Sequence, residues 1–353
     1  MLRRILLAGA LVLSACGPAH AVPQLDYLGQ RQVPSGAVLD GTVIGGLSGI
    51  SYDPAADLYY IISDDRSAKG PARFYTARIM LSDNGIGDVE FVATRPWLDR
   101  DAQPFGPLNV DARPPVVPPD PEAIAFDARR QRLYWTSEGE RRVEGPGAPI
   151  LLDPWVRTAG LDGSFLGEFA LPDGFRMSAD EHGPRRNSTL EGLTLTPDGR
   201  YLWAAMEGPG YDEGPPPDEQ HGARTRVIRF DAESGAVDGQ YTYPLDPVSA
   251  GPRGDNGLSD LVALDDSSFL VIERGYGTYV AVRIYRADVV EGSSEMTKTL
   301  LADLTTMPGL TPLDNIEGIT LGPRLADGRQ SVIAVSDDNF SPTQVTQFLL
   351  FAL

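Results

Sequence analysis

The stretch from Thr189 to Pro209 reads TLEGLTLTPDGRYLWAAMEGP, and four other segments repeat its pattern. Leu193 and Leu195 alternate with threonines up to Pro197-Asp198-Gly199, a turn sequence, after which Tyr201 to Met206 runs back. This predicts two strands joined by a tight turn. Antiparallel strands return to where they began, so Glu191 and Glu207, 16 residues apart in the chain, are expected on one rim. The related segments are Gly46 to Arg66, Asp120 to Glu140, Gly257 to Tyr276 and Asn315 to Asn339. Aligned on the small or apolar residues that follow, the first rim position is Ser48, Glu122, Glu191, Asp260 and Glu317. The second is Asp64 or Asp65, Glu138, Glu207, Glu273, and Asp337 or Asp338.

A second pair of strands is predicted after each hairpin. These are Ala72 to Leu81 with Asp88 to Thr94, Leu151 to Gly160 with Phe165 to Leu171, Arg226 to Phe230 with Gly239 to Tyr243, and Tyr279 to Tyr285 with Met296 to Leu304. The fifth unit has only Gln344 to Ala352 before the chain ends, and Leu25 to Val33 is left over at the front to supply its missing strand. Four antiparallel strands per unit, with the N-terminal strand pairing into the last blade, predict an all-β fold, a closed β-propeller. Five blades are counted, and spacings of roughly 58 to 74 residues leave room for a sixth. Residues 22–353 are therefore read as one domain, since a blade cannot bury both of its faces alone. Three irregular stretches, Arg100 to Pro119, Asp173 to Ser188 and Gly208 to Arg224, leave from one side of the ring, and long loops of this kind often carry function.

Residues 1–21 read as an export signal: Arg3-Arg4, the apolar run Ile5 to Leu13, then small residues. Leu13-Ser14-Ala15-Cys16 looks like a lipobox with Cys16 as the lipidated residue, and Ala19-His20-Ala21 is a competing site for ordinary cleavage. The expectation is a periplasmic protein, an outer-membrane-anchored lipoprotein or an extracellular protein. Its contact with a membrane would come only through an N-terminal lipid. Cys16 is the one cysteine of the chain, so the mature domain folds without a disulfide. Formal net charge is −19, and loss of Arg3 and Arg4 would take it to −21, a balance that repels nucleic acid and anionic lipid.

The acids of both rim positions converge on one mouth of a propeller channel, where they cannot all stay ionised without a cation, an arginine or raised pKa values. Oxygen ligands with no cysteine and few histidines favour Ca²⁺ over Mg²⁺ and zinc, and Asn187, Asn256, Asn315 and Asn339 add neutral oxygens beside the acids. Singly, each acid also fits a solvated strand end or a local cap. Arg66, Arg141, Arg142, Arg185, Arg186 and Arg274 accompany the rim, suited to a phosphate or carboxylate or to plain pairing with the acids. His182 lies close enough ahead of Glu191 to reach the mouth as a general acid or base, or to be a solvated loop histidine. No serine stands in a G-x-S-x-G elbow, and neither a phosphate-binding glycine loop nor a zinc-type cluster is present.

Asn187 to Leu193 (NSTLEGL), Gly257 to Leu261 (GLSDL), Asp314 to Ile319 (DNIEGI) and Ser336 to Phe340 (SDDNF), followed by Gln344 and the closing Phe348 to Leu353, together resemble the bacterial phytase-like domain family, named for the esterase-like activity of phytase. The resemblance covers about residues 25–353. It implies a Ca²⁺-dependent propeller related to the β-propeller phytases, which hold calcium and phosphate at a carboxylate-lined mouth. The lysine-rich motifs of those phytases have no counterpart here, since Lys69 and Lys298 are the only lysines. The expectation is a hydrolase of a small anionic phosphoester. Glu122, Glu191, Asp260 and Glu317 would hold Ca²⁺, Arg66, Arg142 and Arg274 would orient the phosphate, and Glu138 or Glu207 would take a proton from water. Two alternatives stand beside it: a calcium-dependent carboxylic ester or lactone hydrolase leaning on His182, and a non-catalytic envelope-ligand binder with structural calcium.

Overall fold

The computed structural model describes residues 24–83, 85–145 and 147–353, so the export signal and Cys16 lie outside the described residues. Five four-stranded antiparallel sheets form a five-bladed propeller. The innermost strands are Leu47–Asp53, Pro121–Asp127, Leu190–Leu195, Gly257–Ala263 and Asn315–Arg324 for blades 1 to 5. Their second strands are Leu58–Ser63, Arg132–Ser137, Tyr201–Met206, Ser268–Tyr276 and Gln330–Asp337. Asp26–Gln32 pairs antiparallel with Gln347–Ala352 and becomes the outer strand of blade 5, so the two ends of the chain close the ring.

Five hydrophobic clusters lie in the wedges between neighbouring blades, each built from two of them. Between blades 1 and 2, Trp97 stacks on Trp135 with ring centroids 4.7 Å apart and planes at 6°. Between blades 4 and 5, Leu270, Ile272, Val282 and Ile284 face Ile316, Ile319, Val332 and Phe351. Every sheet thus buries its two faces against different neighbours, which is why the ring folds as one body.

One predicted strand is broken. Ile150–Leu152 leaves blade 2 to pair with Glu140–Arg142 as a two-stranded flap, and the third strand of the blade starts at Trp155. Pro154 stands at the break, where its missing N–H cannot serve a ladder.

The inner hairpins share a defect that organises the site. In each blade the pairing slips by one residue at the start of the innermost strand: between Leu47 and Gly49, Pro121 and Ile124, Leu190 and Gly192, Leu258 and Asp260, and Ile316 and Gly318. Such a bulge re-aims the extra side chain without ending the strand. In blades 1 and 5 the residue after it is a glycine, because neighbouring inner strands meet there. A Cβ on Gly49 would lie 2.8 Å from the carbonyl oxygen of Glu122, and one on Gly318 2.9 Å from that of Ser48.

Candidate active site at the acidic channel mouth

The bulges place Ser48, Glu122, Glu191, Ser259 and Glu317 in equivalent positions. At the mouth, Asp64, Asp120, Glu122, Glu138, Glu191, Glu207, Asp255, Glu317 and Asp337 line a cavity of about 380 Å³, together with Arg66, Arg274, Asn187 and Asn339. Nine carboxyl groups thus face two guanidinium groups. The first rim expectation is met at Glu122, Glu191 and Glu317, and the second at Asp64, Glu138, Glu207 and Asp337.

Blade 2 supplies the tightest group. Asp120, Glu122 and Glu138 are all buried, and one carboxylate oxygen from each lies within 4.8 Å of those of the other two. Glu122 accepts from Ser48 Oγ at 2.8 Å, and Glu138 accepts from the Thr189 backbone N–H at 2.6 Å. Arg66 flanks the group, 3.3 Å from Asp120 and 2.8 Å from Glu140. On the other side Arg274 is 3.0 Å from Glu317 and 3.5 Å from Glu207. Asn315 donates to Glu317 at 2.8 Å, and the Asn339 N–H donates to Asp337 at 2.7 Å.

Burial and mutual repulsion push these acids up together. Glu122 is raised well above the usual carboxylate range by burial, then by Glu191 and Asp120. Glu191 is raised by burial, then by Glu207 and Glu138, and Glu138 by burial, then by Asp120 and Glu207. Asp64 and Asp337 follow for the same reasons. Burial pushes Asp120 up to about 6 against the opposing Arg66, and Glu207 up to about 7 against Arg274. The mouth's own side chains are therefore short of positive charge, with nine carboxyl groups to two guanidinium groups.

Several expected side chains are elsewhere. Asp260 does not stand on the rim: Ser259 takes the bulge, and Asp260 falls at the position that Gly49, Ala123, Gly192 and Gly318 hold in the other blades. From there its carboxylate accepts backbone N–H groups of Leu261 at 2.8 Å, Ile319 at 2.9 Å and Leu193 at 3.3 Å, tying together the inner strands of blades 3, 4 and 5. Arg142 lies on the blade 2 flap and lines a separate cavity with Leu108, Glu144 and Arg186. His182 is exposed in its loop, its Nδ1 3.0 Å from Asp212, which pulls its pKa up. Glu273, expected at the second rim position, takes bonds from Tyr243, Asn256 and the Asp246 N–H.

Asp120 and Asp255 also line the mouth, although neither falls on a rim position of the repeat. The D-P-E spacing to Glu122 signals Asp120; Asp255 lies in the loop leading into blade 4 and has no acidic counterpart in the repeat, Asn187 standing at the equivalent place in blade 3.

The model of the phytase-like family, described as esterase-like activity of phytase, matches residues 42–340. The chain belongs to this family. No curated protein matches it. Among solved structures, this phytase-like chain is similar to the periplasmic gluconolactonase of Pseudomonas aeruginosa, with a TM-score of 0.40, 13% identity, 88% of this chain covered and 90% of the other. It is also similar to the exo-β-1,3-galactanase of Phanerochaete chrysosporium, with a TM-score of 0.49, 10% identity, and coverages of 94% and 64%.

Proposed function

We propose that this phytase-like protein is an exported, Ca²⁺-dependent hydrolase of small phosphoesters, working at the acidic mouth of its channel. The observation that carries the reading is the buried triad Asp120, Glu122 and Glu138, with one carboxylate oxygen from each gathered within 4.8 Å. An all-oxygen set without cysteine or histidine suits a hard divalent cation. The charge balance of the mouth supports the same choice, since buried carboxylates are stabilised as anions only by positive partners. Asp120, Glu122 and Glu138 would hold the ion, with Glu191 beside them. Bound there, Ca²⁺ would offset the buried charge and polarise an ester oxygen.

The remaining work falls to side chains already in place. Arg66, partly exposed and flanking the triad, would bind a non-bridging phosphate oxygen. Glu207, with its pKa raised to about 7, is poised to take a proton from the attacking water near neutral pH. The water oxygen would bond to phosphorus as the bond to the alcohol oxygen breaks, and the alcohol would leave with a proton returned from the acid cluster. Secretion follows from the leader at residues 1–21, with or without lipidation at Cys16. The carboxylic ester alternative relies on His182, which pairs with Asp212 in an exposed loop.

The test is hydrolysis of a phosphomonoester, a phosphodiester and a short acyl ester by the protein without residues 1–21, each with Ca²⁺ and with chelator. Calcium-dependent phosphate release, falling about 100-fold or more in Glu122→Gln, is the expected result. Turnover of the acyl ester alone would favour the carboxylic ester reading. No turnover, with calcium still raising the melting temperature, would leave a calcium-stabilised binding protein.

A further inference from the structure

A second cavity, of about 540 Å³, opens at the other end of the ring, where the turns of the inner hairpins lie. It shares no lining residue with the acidic mouth. Gly49, Ala123, Gly192, Asp260 and Gly318 stand between the two, at the level where the Asp260 carboxylate joins the inner strands of blades 3, 4 and 5. The wall below them is apolar. Ile50, Ile124, Leu193, Leu261 and Ile319, one from each inner strand, line the cavity, and half-buried Leu195, Val262 and Leu321 continue it toward the turns. Its hydroxyls are already engaged. Ser51 and Thr194 accept the backbone N–H groups of Phe126 and Ala263 at 2.9 and 3.0 Å. Tyr52 donates to Asp57 at 2.9 Å, Thr196 to Asp198 at 2.7 Å, and Thr320 to the Leu321 carbonyl at 3.3 Å.

Three charged residues line this cavity, and one is spent: Asp127 is buried and takes Arg130 at 2.9 Å and Tyr134 at 2.8 Å. The other two are exposed arginines, Arg129 in the turn of blade 2 and Arg324 at the end of the inner strand of blade 5. Arg129 donates to the Asp198 carbonyl and Arg324 to that of Gly328; among the described residues neither has a carboxylate within 4 Å. The nearby Asp198 carboxylate is turned into its own loop, on Thr196 Oγ1 and the Arg200 N–H. Arg129 spans blades 2 and 3 to reach Asp198, and on a five-bladed ring blade 5 lies across from that boundary, so the opening is cationic on both sides. We infer that this cavity binds a single-chain anionic amphiphile, a fatty acid, with its tail among the aliphatic side chains and its carboxylate at the arginine rim. The volume falls in the range of small-molecule sites, about 300–1,000 Å³. With its hydroxyls bonded to the protein, the wall offers a polar ligand nothing, while every methylene that enters leaves water. The head stays at the surface, where a guanidinium suits a carboxylate. In a chain of net charge −19, an anion has no other reason to settle on this face. Neither calcium nor the phosphoester reaction enters the inference.

The experiment is calorimetry in chelator on the protein without residues 1–21, titrated with octanoate, decanoate and dodecanoate, and with decyltrimethylammonium, each below its micelle concentration. One fatty acid per chain is expected, with affinity rising about fourfold per methylene along the series and the ammonium ion binding at least about tenfold more weakly than decanoate. The double variant Arg129→Gln, Arg324→Gln should weaken decanoate about fivefold, and Val262→Trp, which fills the cavity, should abolish its binding. Absence of decanoate binding, an affinity indifferent to chain length, equal binding of the ammonium ion, or undiminished binding in Val262→Trp would each overturn the inference. Should Val262→Trp fail to fold, the chain-length and head-group series on the unmutated chain decides the matter without it. The arginine variant reads the head-group contact separately: unchanged decanoate affinity there overturns the assignment of the carboxylate to the rim.

Discussion

Replacing Asp260 with alanine separates a structural carboxylate from a metal-binding one. The side chain accepts three buried backbone N–H groups at 2.8, 2.9 and 3.3 Å, from blades 4, 5 and 3. A buried donor left without a partner costs about 1–3 kcal/mol, and the longest of the three bonds counts at the low end. The loss is therefore roughly 3–6 kcal/mol before compensation. Part of it returns, because burial holds the Asp260 carboxyl well above its ordinary pKa, and removing a buried ionisable group relieves that desolvation cost. A net destabilisation of about 2–4 kcal/mol remains. For a chain of this size that is about 3–6 °C in melting temperature. Thermal and urea unfolding in chelator would measure the loss, with Asp260→Asn, which keeps one accepting oxygen, falling between the two. Calcium calorimetry on the same proteins should find the stoichiometry unchanged. Loss of a bound calcium with no loss of stability in chelator would refute the reasoning and return Asp260 to the rim set.

Without metal, stability should fall as pH rises from about 4.5 to 7. Glu207 carries a folded pKa raised to about 7, so its proton is bound more tightly by the native state, and native stability drops as that proton is lost. Glu207→Gln should flatten the profile by up to about 3 kcal/mol; an unaltered profile in denaturant titrations at pH 5 and 8 would count against the assignment. Arg73→Met should cost about 3–5 kcal/mol in chemical unfolding by stranding the buried Asp65, 2.6 Å from Arg73, while calcium stoichiometry stays unchanged. His182→Ala should leave the melting temperature and phosphoester turnover unaltered, because its ring is exposed and pairs with Asp212; a large fall in kcat would place the loop over the mouth during the reaction.

Much of this protein follows from the sequence alone. The hairpin pattern, the orphan strand at the front and the missing strand at the back predict a closed ring of four-stranded blades, five by count with room for a sixth, because a sheet with two apolar faces needs neighbours on both sides; the structure has five. The same repeat places Glu122, Glu191, Glu317, Glu138 and Glu207 at one mouth, since antiparallel pairing returns each hairpin to its starting rim. The tertiary structure alone decided which residue of Leu258-Ser259-Asp260-Leu261 faces that mouth. A bulge adds one residue to the strand with no change in composition, and a shift of one position reverses where a side chain points, so Asp260 binds backbone while Ser259 takes the rim. Side-chain reach was also decided in three dimensions. Arg66 and Arg274 meet the acids while Arg142, carried off on the flap that Pro154 separates from blade 2, does not. Short-range pattern encodes strands and turns, but the partners of a long charged side chain are set by where distant blades bring their ends together.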